Sequence, residues 1–272
     1  MSEGGAFCFH GDPGTFDVLR HIQTELLGEG ITGIGIAFLD YCNVILCFFV
    51  IIWLTSSDLA LAPQAHFPIP LRQANDAIAF LFASGLAPEN LQIAGESAGG
   101  NLVLQVLSHA LHPLPSIPLS PLASSFAGEH RPVKGAFLIS PWVIPRGSDG
   151  GSFDTNDKND LVSKKALCDW GLKIVNPVPL DERSYIEPSL SSMEWFRDAP
   201  RVIERFLITA GGYEVLRDDI LAFANRHLSS CKDVTVMLQE QGVHVESLYT
   251  LTKEIRDQDG ETILKWFKTG FQ

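Results

Sequence analysis

The sequence predicts an α/β protein, a mostly parallel sheet with helices on both faces, forming one domain over residues 1–272. Three observations carry this expectation. Short apolar runs bounded by turn residues recur along the chain. Between several of them, apolar residues return every three or four positions, the period of a helix packed on one face. The short runs are apolar at successive positions, as strands covered on both faces require. Strand and helix in alternation build a parallel sheet through crossover connections.

Taken in order, strands are expected at Ala6–Phe9, within Val44–Leu54, and at Leu91–Ala94, Gly135–Ile139, Arg205–Thr209 and Val234–Leu238. Leu71, Ala74, Ile78 and Leu81 share helical spacing, as do Leu102, Val106 and Ala110. A further helix is expected over Val215–Leu228, and a last one over Glu261–Lys268 with Ile263, Trp266 and Phe267 on one side. Pro113–Pro132 is rich in Pro and Ser, and Ser148–Asp160 in Gly, Ser, Asp and Asn; both read as loops, the second exposed. Neither separates two independent alternations of strand and helix, so the 272 residues are read as one domain.

Composition narrows the function. The net charge of −12, from 20 Lys and Arg against 32 Asp and Glu, argues against nucleic-acid binding, which needs clustered cations. The five cysteines, Cys8, Cys42, Cys47, Cys168 and Cys231, are scattered without CxxC spacing, so neither a disulfide framework nor a metal site is expected. That usage points to a reducing, cytoplasmic setting. The first residues carry no basic stretch before an apolar run, as a secretory signal would, and Gly270-Phe271-Gln272 is no targeting tripeptide. Ile31–Leu54 is strongly apolar, yet its uninterrupted part, Val44–Leu54, is eleven residues, against about 20 for a membrane helix. Burying Asp40 in a membrane would cost about 3 kcal/mol. A buried strand region is the favoured reading and membrane attachment the lesser one.

Leu91-Gln92-Ile93-Ala94-Gly95-Glu96-Ser97-Ala98-Gly99-Gly100-Asn101 contains GxSxG between an apolar strand and an amphipathic helix. In that setting the motif makes a nucleophile elbow: a sharp turn without room for side chains at Gly95 and Gly99 lifts the Ser97 hydroxyl above the sheet. The helix beneath presents its positive end and the free N–H of Ala98. A serine needs a base to take its proton. His10 and His21 precede the elbow; His66 and His130 adjoin prolines; His109, His112 and His227 read as surface or helix-end residues. His244 follows the strand Val234–Leu238 across Glu240-Gln241-Gly242, where a loop at the carboxyl edge of a late strand begins. The acid should lie between, after Phe206–Thr209, where Glu214, Asp218 and Asp219 are the choices; Glu214 comes first after the loop.

Gly95–Asn101 together with Glu214-Val215-Leu216-Arg217-Asp218-Asp219 resembles the hormone-sensitive-lipase-like branch of the α/β-hydrolases. Leu61-Ala62-Pro63-Gln64-Ala65-His66-Phe67-Pro68 is similar to that branch's LAPE-x-x-FP segment, and Tyr185-Ile186-Glu187-Pro188 also fits. Nearly the whole chain is covered, with the nearest likeness to fungal steryl-acetyl-hydrolase-type and secondary-metabolite esterases. The resemblance implies an α/β-hydrolase fold and hydrolysis of a small-molecule carboxylic ester through an acyl-serine, with no cofactor and no metal. It implies Ser97 as nucleophile, His244 as base and Glu214 as acid, where many relatives carry Asp.

Three departures from that branch stand out. Where relatives carry HGGG, this chain has Phe9-His10-Gly11-Asp12-Pro13-Gly14. Pro13 has no N–H and Asp12 adds a carboxylate, which leaves the N–H groups of Gly11 and Asp12, with that of Ala98, to bind the oxyanion. The chain begins at what would be the oxyanion strand, so the branch's first strands and N-terminal cap helices are expected to be truncated, leaving a sheet edge bare. Finally, Ile31–Leu54 is longer than the single strand the branch places there.

Overall fold

The computed structural model describes residues 5–9, 13–31, 35–38, 66–127, 131–252 and 258–270. Within them the strands are β1 (Gly5–Phe9), β2 (Gly35–Phe38), β3 (Leu91–Glu96), β4 (Gly135–Ile139), β5 (Phe206–Gly211) and β6 (Val234–Gln239). The longer helices are α1 (Pro13–Gly28), α2 (Ile69–Ala83), α3 (Ala98–Leu111), α6 (Lys164–Val175), α8 (Arg217–His227) and α10 (Gln258–Gly270). Shorter ones are α4 (Ala123–Ala127), α5 (Gly151–Thr155), α7 (Arg183–Ile186) and α9 (Glu246–Thr252).

All six described strands form one sheet in the order β2-β1-β3-β4-β5-β6, and every neighbouring pair is parallel. Helices cover both faces, as strand alternation shows directly. Gln92 of β3 contacts α10 through the Phe267 carbonyl and Gly270, whereas Gly95 of the same strand abuts Gly99 of α3. Residues an odd number apart on a strand point to opposite faces, so α3 and α10 lie on opposite sides. α2 packs with α3 on one side, while α1 and α9 pack with α10 on the other. The core between is mainly apolar, with Leu71, Ile78, Leu107, Phe137, Phe206, Phe223 and Phe267 wholly buried.

The strands and helices read from apolar pattern recur with small shifts of their ends, save one. The expected strand within Val44–Leu54 lies outside the described residues; beside β1 the described strand is Gly35–Phe38, earlier in the same apolar span. α1 and α6 were not expected. In α6 only Leu167, Gly171 and Val175 are buried, so its apolar stripe is too narrow to stand out from a polar helix. Two other expectations are corrected. Among the described strands β6 lies at an edge of the sheet and is not covered on both faces, with Val236 and Leu238 at 41% and 43% exposure. Ser148–Asp160 is not an exposed loop: it contains α5 and buries Ser152, Phe153 and Asn156 against α8 and the end of β5. Polar residues there bond backbone groups, a use that composition cannot distinguish from solvation.

No helix among the described residues is long and apolar enough to cross a membrane.

Candidate active site

A parallel sheet gathers all its strand ends at one edge, and the carboxyl edge is where open α/β sheets place ligands. Ser97 follows the last residue of β3 and precedes α3. Its φ of 49° and ψ of −114° are outside the regions an ordinary L-residue favours, so the turn is held from outside. The holding groups are visible. The Ser97 N–H donates to the Ile139 carbonyl (2.8 Å), and its own carbonyl accepts the N–H of Trp142 (3.0 Å). A Cβ on Gly95 would lie 2.4 Å from the Gly99 oxygen, so only glycine lets the strand and the first turn of α3 approach this closely. The Ser97 and Ala98 side chains are half-buried, and Ala98 opens α3 where a helix leaves its first N–H groups without intrahelical partners.

Glu214 and His244 meet directly. His244 Nδ1 lies 2.7 Å from Glu214 Oε1, with the carboxylate wholly buried and the imidazole nearly so. A carboxylate at Nδ1 fixes the proton on that nitrogen and leaves the lone pair on Nε2. The other carboxylate oxygen, Oε2, accepts the Gly211 N–H (2.8 Å) and the Ser140 hydroxyl (3.0 Å). Ser140 Oγ also accepts the N–H of Val245 at 3.0 Å. Ser140 itself sits at φ 45° directly after Ile139, the residue that holds Ser97. The end of β4 therefore touches the serine turn, the acid and the histidine loop within two consecutive residues. Between the last two, Gly211 and Gly212 allow backbone-to-backbone approach: a Cβ on Gly212 would lie 2.0 Å from the Glu240 oxygen.

The imidazole feels two opposed influences. Burial disfavours its charged form, but the hydrogen bond and charge of Glu214, with the charges of Asp160 and Glu96, outweigh it and hold the pKa above the usual histidine value.

Of the residues expected at the site, Glu214 and His244 are in hydrogen-bond contact, and Ser97 and Ala98 stand at the adjoining strand end. Gly11 and Asp12 lie outside the described residues; Pro13, the next residue, opens α1. Asp218 does not reach the histidine: its Oδ2 accepts the Ser152 N–H at 2.8 Å. Asp219 Oδ2 accepts the Ser148 hydroxyl at 2.9 Å, and burial pushes its carboxyl up to about 6. Two histidines read as surface or helix-end residues, His109 and His227, do stand in the last turns of α3 and α8 but are buried there rather than exposed. His109 accepts the Leu114 N–H on Nδ1 and donates from Nε2 to the Pro118 carbonyl, because the chain from Leu114 to Pro118 folds back over the end of α3. His227 stacks on Phe223 and bonds the Ser189 carbonyl. His112 is half-buried, stacked on Trp195 and bonded to its carbonyl. Ser140, Asn156 and Asp160 were missed; Asn156 Nδ2 donates to the Gly212 and Glu214 carbonyls at 3.2 and 2.9 Å. The available signal for Ser140 was its place immediately after a strand at the carboxyl edge. Among the described residues no group of three His, Cys, Asp or Glu side chains is disposed to hold a metal ion.

Comparison with known proteins agrees with this fold. A family model described as the alpha/beta hydrolase fold matches residues 51–247. A Schizosaccharomyces pombe protein, mug81, named as a steryl acetyl hydrolase, is 26% identical over 200 residues, covering 69% of this chain and 48% of its own. The chain thus spans about half the length of that curated relative. Among solved structures, an esterase from the bacterial hormone-sensitive lipase family superposes with a TM-score of 0.69 at 19% identity, over 100% of this chain and 78% of that one. A hormone-sensitive lipase from a metagenome library gives 0.67 at 20% identity, over 98% and 78%. The resemblance to the hormone-sensitive-lipase-like branch is borne out at the level of fold. With a family model matching well over half of its length, on a parallel sheet whose third strand ends in a glycine-lined serine turn, the chain belongs to the α/β-hydrolase fold family.

Proposed function

We propose that the protein is a serine hydrolase of carboxylic esters, with Ser97 as nucleophile, His244 as general base and Glu214 as the carboxylate that orients it. The observation that carries this reading is the 2.7 Å Nδ1–Oε1 contact of His244 and Glu214 beside the strained Ser97 turn. The free Nε2 takes the Ser97 proton as the oxygen attacks the ester carbonyl, and Glu214 stabilises the imidazolium that forms. The same proton then goes to the leaving alcohol. Water, deprotonated by His244, releases the acyl group and restores the serine. The Ala98 N–H, with those of Gly11 and Asp12, stabilises the oxyanion. The curated relative's name suggests a short acyl ester of an apolar alcohol, and fungal secondary metabolism is one setting that would supply such esters.

A fluorophosphonate probe tests the assignment, because it labels an activated serine irrespective of the true ester. Labelling of the native chain at Ser97, lost in Ser97→Ala together with about 10⁶-fold in p-nitrophenyl acetate turnover, is the expected result. Labelling that survives the substitution refutes it.

One observation favours a second reading, a ligand- or partner-binding relative without turnover. Pro13 opens α1 at the place where relatives carry a glycine N–H, and one lost oxyanion donor typically costs about 10²–10³ in turnover. A folded chain that leaves p-nitrophenyl acetate intact and Ser97 unlabelled supports that reading over the first.

A further inference from the structure

Asp160 ends the Ser148–Asp160 segment, and its half-buried carboxylate reaches two loops far along the chain. Oδ1 accepts the backbone N–H of His244 at 2.7 Å; Oδ2 accepts the N–H of Val215, the residue after Glu214, also at 2.7 Å. Oδ1 additionally accepts the N–H of its neighbour Leu161 at 2.7 Å, which fixes the carboxylate's own orientation. Neither the Val215 nor the His244 N–H belongs to a strand ladder, and both residues are buried, so an acceptor from elsewhere is required. A single side chain supplies both acceptors.

We propose that Asp160 is a positioning residue for the Glu214–His244 pair, its carboxylate fastening the backbone of the acid loop and of the histidine loop to one anchor. The proposal rests on the serine-hydrolase reading above and adds what holds that site together. A hydrogen bond of 2.7 Å between two side chains on separate loops survives only if both loops are fixed. Ser140 fixes them from the β4 side, through Glu214 Oε2 and the Val245 N–H, and Asp160 fixes the same two loops through the neighbouring N–H groups of Val215 and His244. Asp160 has a second effect, through space. The charged groups that act on the imidazole are Glu214 from the connection after β5, Asp160 from the segment before α6, and Glu96 from the end of β3. All three are negative and favour the imidazolium, so Asp160 shares in the field that sets when His244 becomes a base.

The test substitutes Asp160→Asn in the full chain. Asparagine keeps the shape but replaces one acceptor oxygen with an NH₂ group that faces a backbone N–H, and it removes the charge. The His244 Cε1–H resonance, followed against pH, is expected to titrate at lower pH in the variant than in the native chain. Fluorophosphonate labelling of Ser97 is expected to keep its acid limb at correspondingly lower pH, with a plateau rate down about ten- to a hundred-fold, the usual penalty of a displaced catalytic group. A merely structural aspartate lowers thermal stability but leaves the His244 midpoint where it was. An unchanged midpoint in a folded variant overturns the proposal. If the variant does not fold, amide hydrogen exchange in the native chain decides: Val215 and His244 are expected to exchange slowly, and fast exchange of both overturns the proposal. A native chain that takes no probe at Ser97 refutes the hydrolase reading, while the His244 titration and the two amides still report whether Asp160 holds the pair.

Discussion

His244 works under a constraint that its surroundings set. Three nearby carboxylates favour its charged form and burial opposes it, with a net rise in pKa above 6.5. A histidine whose folded pKa is raised contributes stability that is fully present below its unfolded value and is lost as pH rises through the folded value. Its service as a base has the opposite dependence, since only the neutral ring accepts the serine proton. Ester turnover, measured as kcat/KM against pH, is therefore expected to rise through a limb centred above 6.5, while the pair's stabilisation declines over the same window. Replacing the carboxylate with the isosteric amide, Glu214→Gln, removes both the bond and the charge that raise the pKa. The limb is expected to move to lower pH and the plateau to fall about 10⁴-fold, because the amide favours the wrong tautomer. A limb unmoved in Glu214→Gln shows that the carboxylate does not govern the imidazole. The same position illustrates what sequence spacing left open. Glu214, Asp218 and Asp219 all follow β5, and only the fold shows that Asp218 turns to Ser152 and Asp219 to Ser148.

At the scale of an element, β3 and α3 meet in a junction with no room for a side chain. Gly95 faces the backbone of Gly99, so an added methyl would meet a carbonyl oxygen at 2.4 Å and the Gly100 nitrogen at 2.8 Å. Backbone in the first turn of a buried helix has no room to retreat, because Gly100 is itself pressed against Pro141, with 2.9 Å to a notional Cβ. Gly95→Ala is thus expected to reach the upper end of overpacking costs, about 3 kcal/mol, read as a lowered urea midpoint at unchanged slope. Probe labelling of Ser97 should fall about 100-fold with it, as the turn opens by a fraction of an ångström. Native stability and labelling in that variant would show that the strand and helix are not locked. This junction was legible in the sequence because everything that makes it is local: an apolar run, glycine on both sides of a serine, and helical period thereafter. Asp160 and Asn156 were illegible for the converse reason. Their partners, Val215, Gly212 and His244, lie 55 or more residues away, and an Asp or Asn bonded to a distant backbone reads like one bonded to water.

At the scale of the molecule, the site exists because strand order turns sequence distance into proximity. β3, β4, β5 and β6 are neighbours in chain order, so the residues that follow them line one edge: Ser97, Ser140, Glu214 and His244. Apolar period marks the strands but not which will be adjacent, and so the sequence indicated the participants without their contacts. The sheet also separates stability from chemistry. α10 lies on the face away from α3, where Phe267 is wholly buried and meets Phe137 edge-on at 5.6 Å between centroids. Trp266 packs against the same ring and over the Arg205 guanidinium, closing the end of the sheet. Truncating Phe267 leaves a cavity beneath the middle of β4, on the side of the sheet that the serine turn does not touch. Phe267→Ala is therefore expected to cost about 3–5 kcal/mol of unfolding free energy in urea. The Glu214–His244 contact is carried by loops held through Ser140 and Asp160, neither of which contacts α10 through the bonds described above. So the acid limb of turnover and the labelling rate per folded molecule should match those of the native chain. If the limb moves in Phe267→Ala, packing on the far face reaches the imidazole, and the separation of the two faces fails.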